Sequence, residues 1–187
     1  MNIFNENTKT KNEKLNFLDY YWEIVGPDFD FSNISKNQHF NPLNTFLLNE
    51  IKCAGIIEDK IPTKYCRTKK WDMHFPEKKV AIEYKSLPCR HAKNLNNRLE
   101  EAIGCGIDLK ANDPEYKLGY IMIFPIPAVT EFNYTKLIEM FVESFEKMVD
   151  DKIYDFFCPI KTFGKGLHEE VSEKYNLDTF IKGIQSK

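Results

Sequence analysis

The sequence predicts an α/β fold, on three observations. Leu118-Gly119-Tyr120-Ile121-Met122-Ile123-Phe124 is a continuous apolar run stopped by Pro125 and Pro127, the pattern of a strand buried on both faces in mid-sheet. Two shorter runs, Trp71 to Phe75 and Val80 to Lys85, flank the turn Pro76-Glu77-Lys78-Lys79 and read as an antiparallel hairpin. Around them lie stretches whose apolar residues recur at helical spacing.

The first such stretch, residues 14–25, places Leu15, Leu18, Trp22 and Val25 on one stripe, and Gly26-Pro27 stops it. Residues 28–38 carry no period and read as loop. A second helix is expected from Pro42, a residue suited to the first turn, to Ala54, with Gly55 as its stop. The hairpin follows, then a polar connection from Ser86 to Lys93. A third helix is expected over Leu95 to Ala111, with Asn94 as N-cap and Leu95, Leu99, Ala102, Ile103 and Leu109 toward the core. After the buried strand, Thr135 to Val149 is the clearest amphipathic helix, its stripe formed by Leu137, Ile138, Phe141, Val142, Phe145, Met148 and Val149. Core packing is the first reading of that stripe, and a share in a dimer interface the second. The tail from His168 to Gln185 reads as a last helix.

At 187 residues one domain spanning 1–187 is the simplest expectation, with a core over about 42–125 and C-terminal helices over 130–187. No run approaches the length of a membrane span, and the first residues lack a signal-peptide pattern, so a soluble cytoplasmic protein is expected. Five widely spaced cysteines without a Cys-x-x-Cys pair suggest reduced thiols, Cys89 beside Arg90 being the one to watch. A net charge of −2 argues against indiscriminate coating of nucleic acid but leaves room for a local basic wall. Lys60, Lys64, Arg67, Lys69 and Lys70 cluster on one segment, whereas Glu139, Glu143, Glu146, Asp150 and Asp151 collect on another.

The hairpin carries the chemistry. Pairing Phe75 with Val80 sets Asp72 opposite Glu83, and the two-residue period adds Lys85 to the same face. Opposed carboxylates repel unless a cation lies between them, and two acids with a lysine make a compact site for a divalent metal. An acid-x-Lys triplet alone discriminates nothing here, since Glu50-Ile51-Lys52 and Glu115-Tyr116-Lys117 repeat it. Glu83-Tyr84-Lys85 differs because it follows Val80-Ala81-Ile82 in an apolar strand, where charge is costly without a task. An exposed face with solvated Glu83 and Lys85 is the competing reading. Glu50 is a further metal-ligand candidate from the preceding helix. His74 shares the face of Asp72 and is expected to be hydrogen-bonded filler.

Thr68-Lys69-Lys70-Trp71-Asp72, Ala81-Ile82-Glu83-Tyr84-Lys85-Ser86, Asn96-Asn97-Arg98-Leu99-Glu100-Glu101-Ala102-Ile103-Gly104, Asp108-Leu109 and Leu118-Gly119-Tyr120-Ile121-Met122 occur in that order. Together they resemble the XhoI-type Type II restriction endonucleases, members of the PD-(D/E)xK nuclease class, over residues 60–124. The resemblance implies a restriction-endonuclease-like fold, a central mixed β-sheet flanked by helices. It implies Asp72, Glu83 and Lys85 as catalytic residues, with Asp72 and Glu83 holding Mg2+, for which Mn2+ can substitute. It further implies double-stranded DNA as substrate, a homodimer cutting a short palindrome such as a CTCGAG-like site, and a host DNA methyltransferase that makes no direct contact.

Base and phosphate contacts are expected from Arg90, His91, Lys93, Asn94, Asn96, Asn97 and Arg98, because Asn pairs bidentately with adenine and Arg with guanine. Helix capping competes for one asparagine, and a salt bridge to Glu101 competes for Arg98. Lys64, Arg67, Lys69 and Lys70 are the expected phosphate clamps. A structure-specific or repair nuclease on the same core, and a DNA-binding protein without catalysis, remain alternatives.

Overall fold

The computed structural model describes residues 15–25, 40–53, 65–66, 69–87, 94–126 and 132–186. The expected loop at 28–38, the stops at Gly26 and Gly55, Cys89 and most of the polar connection after the hairpin lie outside them.

Apolar alternation and turn chemistry build a five-stranded mixed sheet. Its strands are β3 (Met73–Phe75), β4 (Val80–Ser86), β5 (Lys117–Pro125), β6 (Phe156–Gly164) and β7 (Leu167–Glu170), in that spatial order. β3 and β4 pair antiparallel in the expected register, with Phe75 opposite Val80 and Met73 opposite Ile82. Pro76–Lys78 forms a single 3-10 turn between them, closed by Lys79 at φ 51°, a left-handed position. β4, β5 and β6 are mutually parallel and β7 returns antiparallel. A separate two-stranded pair, β1 (Tyr65–Cys66) and β2 (Lys69–Lys70), precedes the sheet.

β5 occupies the centre, and its residues from Leu118 to Pro125 are all buried, as its unbroken apolar run predicts. The helices are α1 (Phe17–Val25), α2 (Asn41–Cys53), α3 (Leu95–Asn112), α4 (Phe132–Asp150) and α5 (Leu177–Gln185). α1, α2 and α5 cover the face lined by Ile82, Tyr84, Ile121, Ile123 and Ile160. α3 and α4 form the two parallel crossovers and cover the other face, against Ala81, Leu118, Tyr120, Met122 and Phe157. Gly119 admits α5 to its face, because a Cβ there would lie 2.7 Å from Cζ of Phe180.

Several expectations are corrected. The tail is helical only from Leu177, where Asn176 and Thr179 form a capping box, and residues 156–170 supply two strands rather than helix. Asn94 precedes α3 but makes no side-chain cap. Ile103 is exposed rather than turned to the core. On α4 the stripe Ile138, Phe141, Val142, Phe145 and Met148 is buried against this chain's own sheet, so it is core and not a dimer surface. No described helix is long and apolar enough to cross a membrane.

Candidate active site

Asp72 enters the site from the residue before β3, and the hairpin register carried one step further sets it opposite Glu83. Its Oδ2 accepts a hydrogen bond from the Tyr84 backbone N–H at 3.0 Å, which fixes the carboxylate beside β4. Glu83 lies on the face toward α3, between the core residues Ala81 and Leu87, and its side chain is only 2 % exposed. Lys85, two residues on, sets its ammonium on Glu83 Oε1. The three residues singled out from the sequence therefore converge, and the solvated-face alternative fails because Glu83 is buried.

Two more elements complete the cluster. Lys69 of β2 brings Nζ to 3.3 Å from Glu83 Oε1 and 3.7 Å from Glu101 Oε1 of α3. Its ammonium also lies 5.0 Å from the ring centroid of buried Trp71, a cation–π distance. Arg98 donates from Nη1 to Glu101 Oε2 at 2.8 Å, so the ion-pair reading of Arg98 is realised. One face thus gathers three acids and three bases. Glu83 Oε2 is nonetheless buried without a hydrogen-bond partner among the described residues.

The electrostatics follow from that crowding. Burial, and then the charge of Glu83, push the Asp72 carboxyl up to about 6, against the pull of the Tyr84 N–H and the Lys85 and Lys69 ammoniums. Glu101 moves the other way: burial raises it, but Lys85, Arg98 and Lys69 outweigh that and hold it below the usual carboxylate range. For Lys69, burial disfavours the charge, yet Glu83, Cys105 and Glu101 overcome it and raise the ammonium above its ordinary value. Two facing acids that cannot ionise together without cost, one with an unpartnered oxygen, fit a hard divalent cation such as Mg2+. Asp72 and Glu83 are the residues that would hold it.

The remaining expected residues divide sharply. Among the described residues no three His, Cys, Asp or Glu side chains converge on one metal position. Glu50 is thereby corrected: its helix α2 packs through Leu43 and Leu47 on the opposite face, so it is not brought to Asp72 and Glu83. His74 is filler as expected, with Nε2 2.6 Å from the Tyr116 hydroxyl and the two rings stacked. Lys70 is exposed beside Lys69, and Asn96 and Asn97 are exposed on the first turn of α3. Lys69 is directed at carboxylates rather than outward. Lys64, Arg67, Arg90, His91 and Lys93 lie outside the described residues.

Glu101 is the site residue the sequence reasoning left as a mere partner for Arg98. The available signal was its place one helical turn from Arg98 and next to buried Ala102, on a helix that must cover Glu83. No family model, curated protein or solved structure matches the chain.

Proposed function

We propose that the chain is a Mg2+-dependent, sequence-specific double-stranded DNA endonuclease of the PD-(D/E)xK class, similar to the XhoI-type restriction enzymes. In this reading it acts as a homodimer on a short palindrome, with a CTCGAG-like site as the first target to try. One observation supports it above the rest: Asp72 and Glu83 face each other on the hairpin, with Lys85 on Glu83 and Glu83 Oε2 buried without a described partner.

Bound Mg2+ would supply Lewis-acid polarisation of the phosphodiester and lower the pKa of a coordinated water. The chain's own groups do the rest. Asp72, fixed by the Tyr84 N–H, and Glu83, fixed by the two ammoniums, present oxygens from rigid strand positions. Lys85 stands two residues beyond Glu83 and orients the attacking water, while its charge offsets the negative charge that develops on the phosphate. Lys70, exposed beside the site, suits a phosphate contact, and exposed Asn96 and Asn97 suit groove contacts.

The test is incubation of the purified protein and an Asp72→Ala variant with plasmid and phage DNA, with Mg2+ and with chelator, followed by sequencing of fragment ends. Mg2+-dependent cuts at one repeated motif, lost in the variant, are expected. Cuts confined to nicks or junctions would replace this reading with a structure-specific nuclease. Intact DNA with every divalent cation tried would reject catalysis.

A further inference from the structure

Lys69 stands where two requirements meet. Its ammonium shares Glu83 Oε1 with Lys85, so one buried carboxylate carries two cations on one oxygen and, among the described residues, none on the other. The same ammonium lies 3.7 Å from Glu101 Oε1. Arg98 occupies the other oxygen of Glu101, at 2.8 Å, and so holds Oε1 toward Lys69. A lysine suspended between two carboxylates, only one of which belongs to the acidic pair, can pass between them by rotating its flexible stem, with no backbone movement.

We propose that Lys69 is a displaceable counter-ion: it neutralises Glu83 while no divalent cation is bound, and shifts onto Glu101 of α3 when Asp72 and Glu83 take up Mg2+. This inference rests on the nuclease reading of the site. Glu101 is in these terms a positioning residue, acting through Lys69, and the Arg98–Glu101 pair keeps the receiving oxygen in place. Without Mg2+, Glu83 is compensated, and with Mg2+ the released ammonium does not remain beside a dication. The exchange also moves the ammonium relative to the Trp71 ring, which gives the event an optical reporter.

The experiment titrates Mg2+ into the full chain by calorimetry, with wild type, Lys69→Met, Glu101→Gln and the double variant as a thermodynamic cycle. Lys69→Met removes the competitor and is expected to tighten Mg2+ binding about tenfold, whereas Glu101→Gln removes the receiver and weakens it by a similar factor. In the Lys69→Met background, Glu101→Gln is expected to change affinity by less than about twofold, because no lysine remains to be received. Equal effects of Glu101→Gln in both backgrounds would mean a plain field effect and overturn the exchange. Emission of Trp71, isolated by Trp22→Phe, gives a readout in a chain with its site intact. It should change with Mg2+ when Lys69 is present and stay constant in Lys69→Met, and an unchanged signal in the Lys69-containing chain at saturating Mg2+ would also overturn the exchange. A wild-type chain that binds no Mg2+ and leaves DNA intact overturns the nuclease reading together with this one, whereas binding with an additive cycle overturns this one alone.

Discussion

Two clusters of ionisable side chains lie on opposite faces of the sheet, and they are built on different principles. Near β3 and β4, three acids and three bases leave a buried carboxylate oxygen unpartnered among the described residues and hold Asp72 up at about 6. Between β6, β7 and α1, His168 joins Asp19 and Thr162 with nothing left over. Its Nε2 lies 2.8 Å from Asp19 Oδ1, its Nδ1 lies 2.8 Å from Thr162 Oγ1, and Asp19 also accepts the Gly166 N–H. An acid, a histidine and a hydroxyl in line resemble a nucleophilic triad, but Thr162 is fully buried and no substrate atom can reach it. The saturated cluster fastens α1 to the β6–β7 hairpin. The other leaves Glu83 Oε2 without a hydrogen-bond partner among the described residues. Satisfaction of hydrogen-bonding capacity, more than the identity of the residues, separates the two clusters.

Breaking the first cluster should cost activity and breaking the second should cost stability. Asp72→Asn and Glu83→Gln are each expected to lower Mg2+-dependent DNA cleavage by at least about a thousandfold, measured as initial rates on a plasmid carrying the target.

The same Asp72→Asn substitution is expected to raise stability. The Asp72 carboxyl titrates near 6 in the folded chain against 3.8 as its ordinary value, so the unfolded state releases its proton first. The penalty is absent below about pH 4, grows as the pH rises through the interval to about 6, and is constant above it. Denaturant unfolding of wild type and Asp72→Asn at pH 4 and pH 8 should therefore show a difference that opens to ~1–3 kcal/mol at the higher pH. A difference that stays flat with pH would show that the acidic pair is not under strain.

For the second cluster the signs reverse. His168→Ala strands the buried Thr162 hydroxyl and the part-exposed Asp19 carboxylate and is expected to cost ~1–3 kcal/mol in chemical denaturation while leaving the cleavage rate within about twofold. His168 also carries a pH signature. Burial lowers its pKa, and the Asp19 carboxylate only partly restores it, so the folded chain resists protonation that the unfolded chain accepts at 6.5. Wild-type stability should consequently fall as pH drops below about 6.5, and His168→Ala should flatten that slope. Asp19 adds to the loss at lower pH: burial raises its carboxyl, but the Gly166 N–H and His168 together hold it below 3.8. Thr162→Val removes a single neutral hydrogen bond and should give the smallest change, about 1 kcal/mol in the same assay.

The cluster at β3 and β4 was the more legible of the two. Asp72 and Glu83 lie on a local hairpin whose turn length fixes the register, so counting residues from Phe75 and Val80 reached them directly. Glu101 and the inward aim of Lys69 were hidden because they depend on where α3 and β2 dock, which no local pattern states. Nothing of the second cluster was visible for a related reason. Pro159 interrupts the apolar run of β6, although its carbonyl still accepts the Val171 N–H, and Leu167-His168-Glu169-Glu170 alternates too briefly to announce a strand. Without β6 and β7, Asp19 and His168 are simply distant residues. Glu50 misled for the converse reason: the right side chain before the right hairpin lies on a helix that packs on the wrong face.

The mixed topology also orders events in time. The β3–β4 hairpin is local and belongs to a class of structure that closes in ~1–10 μs, whereas the parallel pairings of β4 with β5 and β5 with β6 each wait for a whole intervening helix. Asp72 and Glu83 therefore meet while still hydrated, where water screens their repulsion, and are enclosed only when the slow strands and α3 arrive. The acidic pair is assembled cheaply and charged with its tension last, so the cost of enclosing it falls at the end of folding instead of at its start.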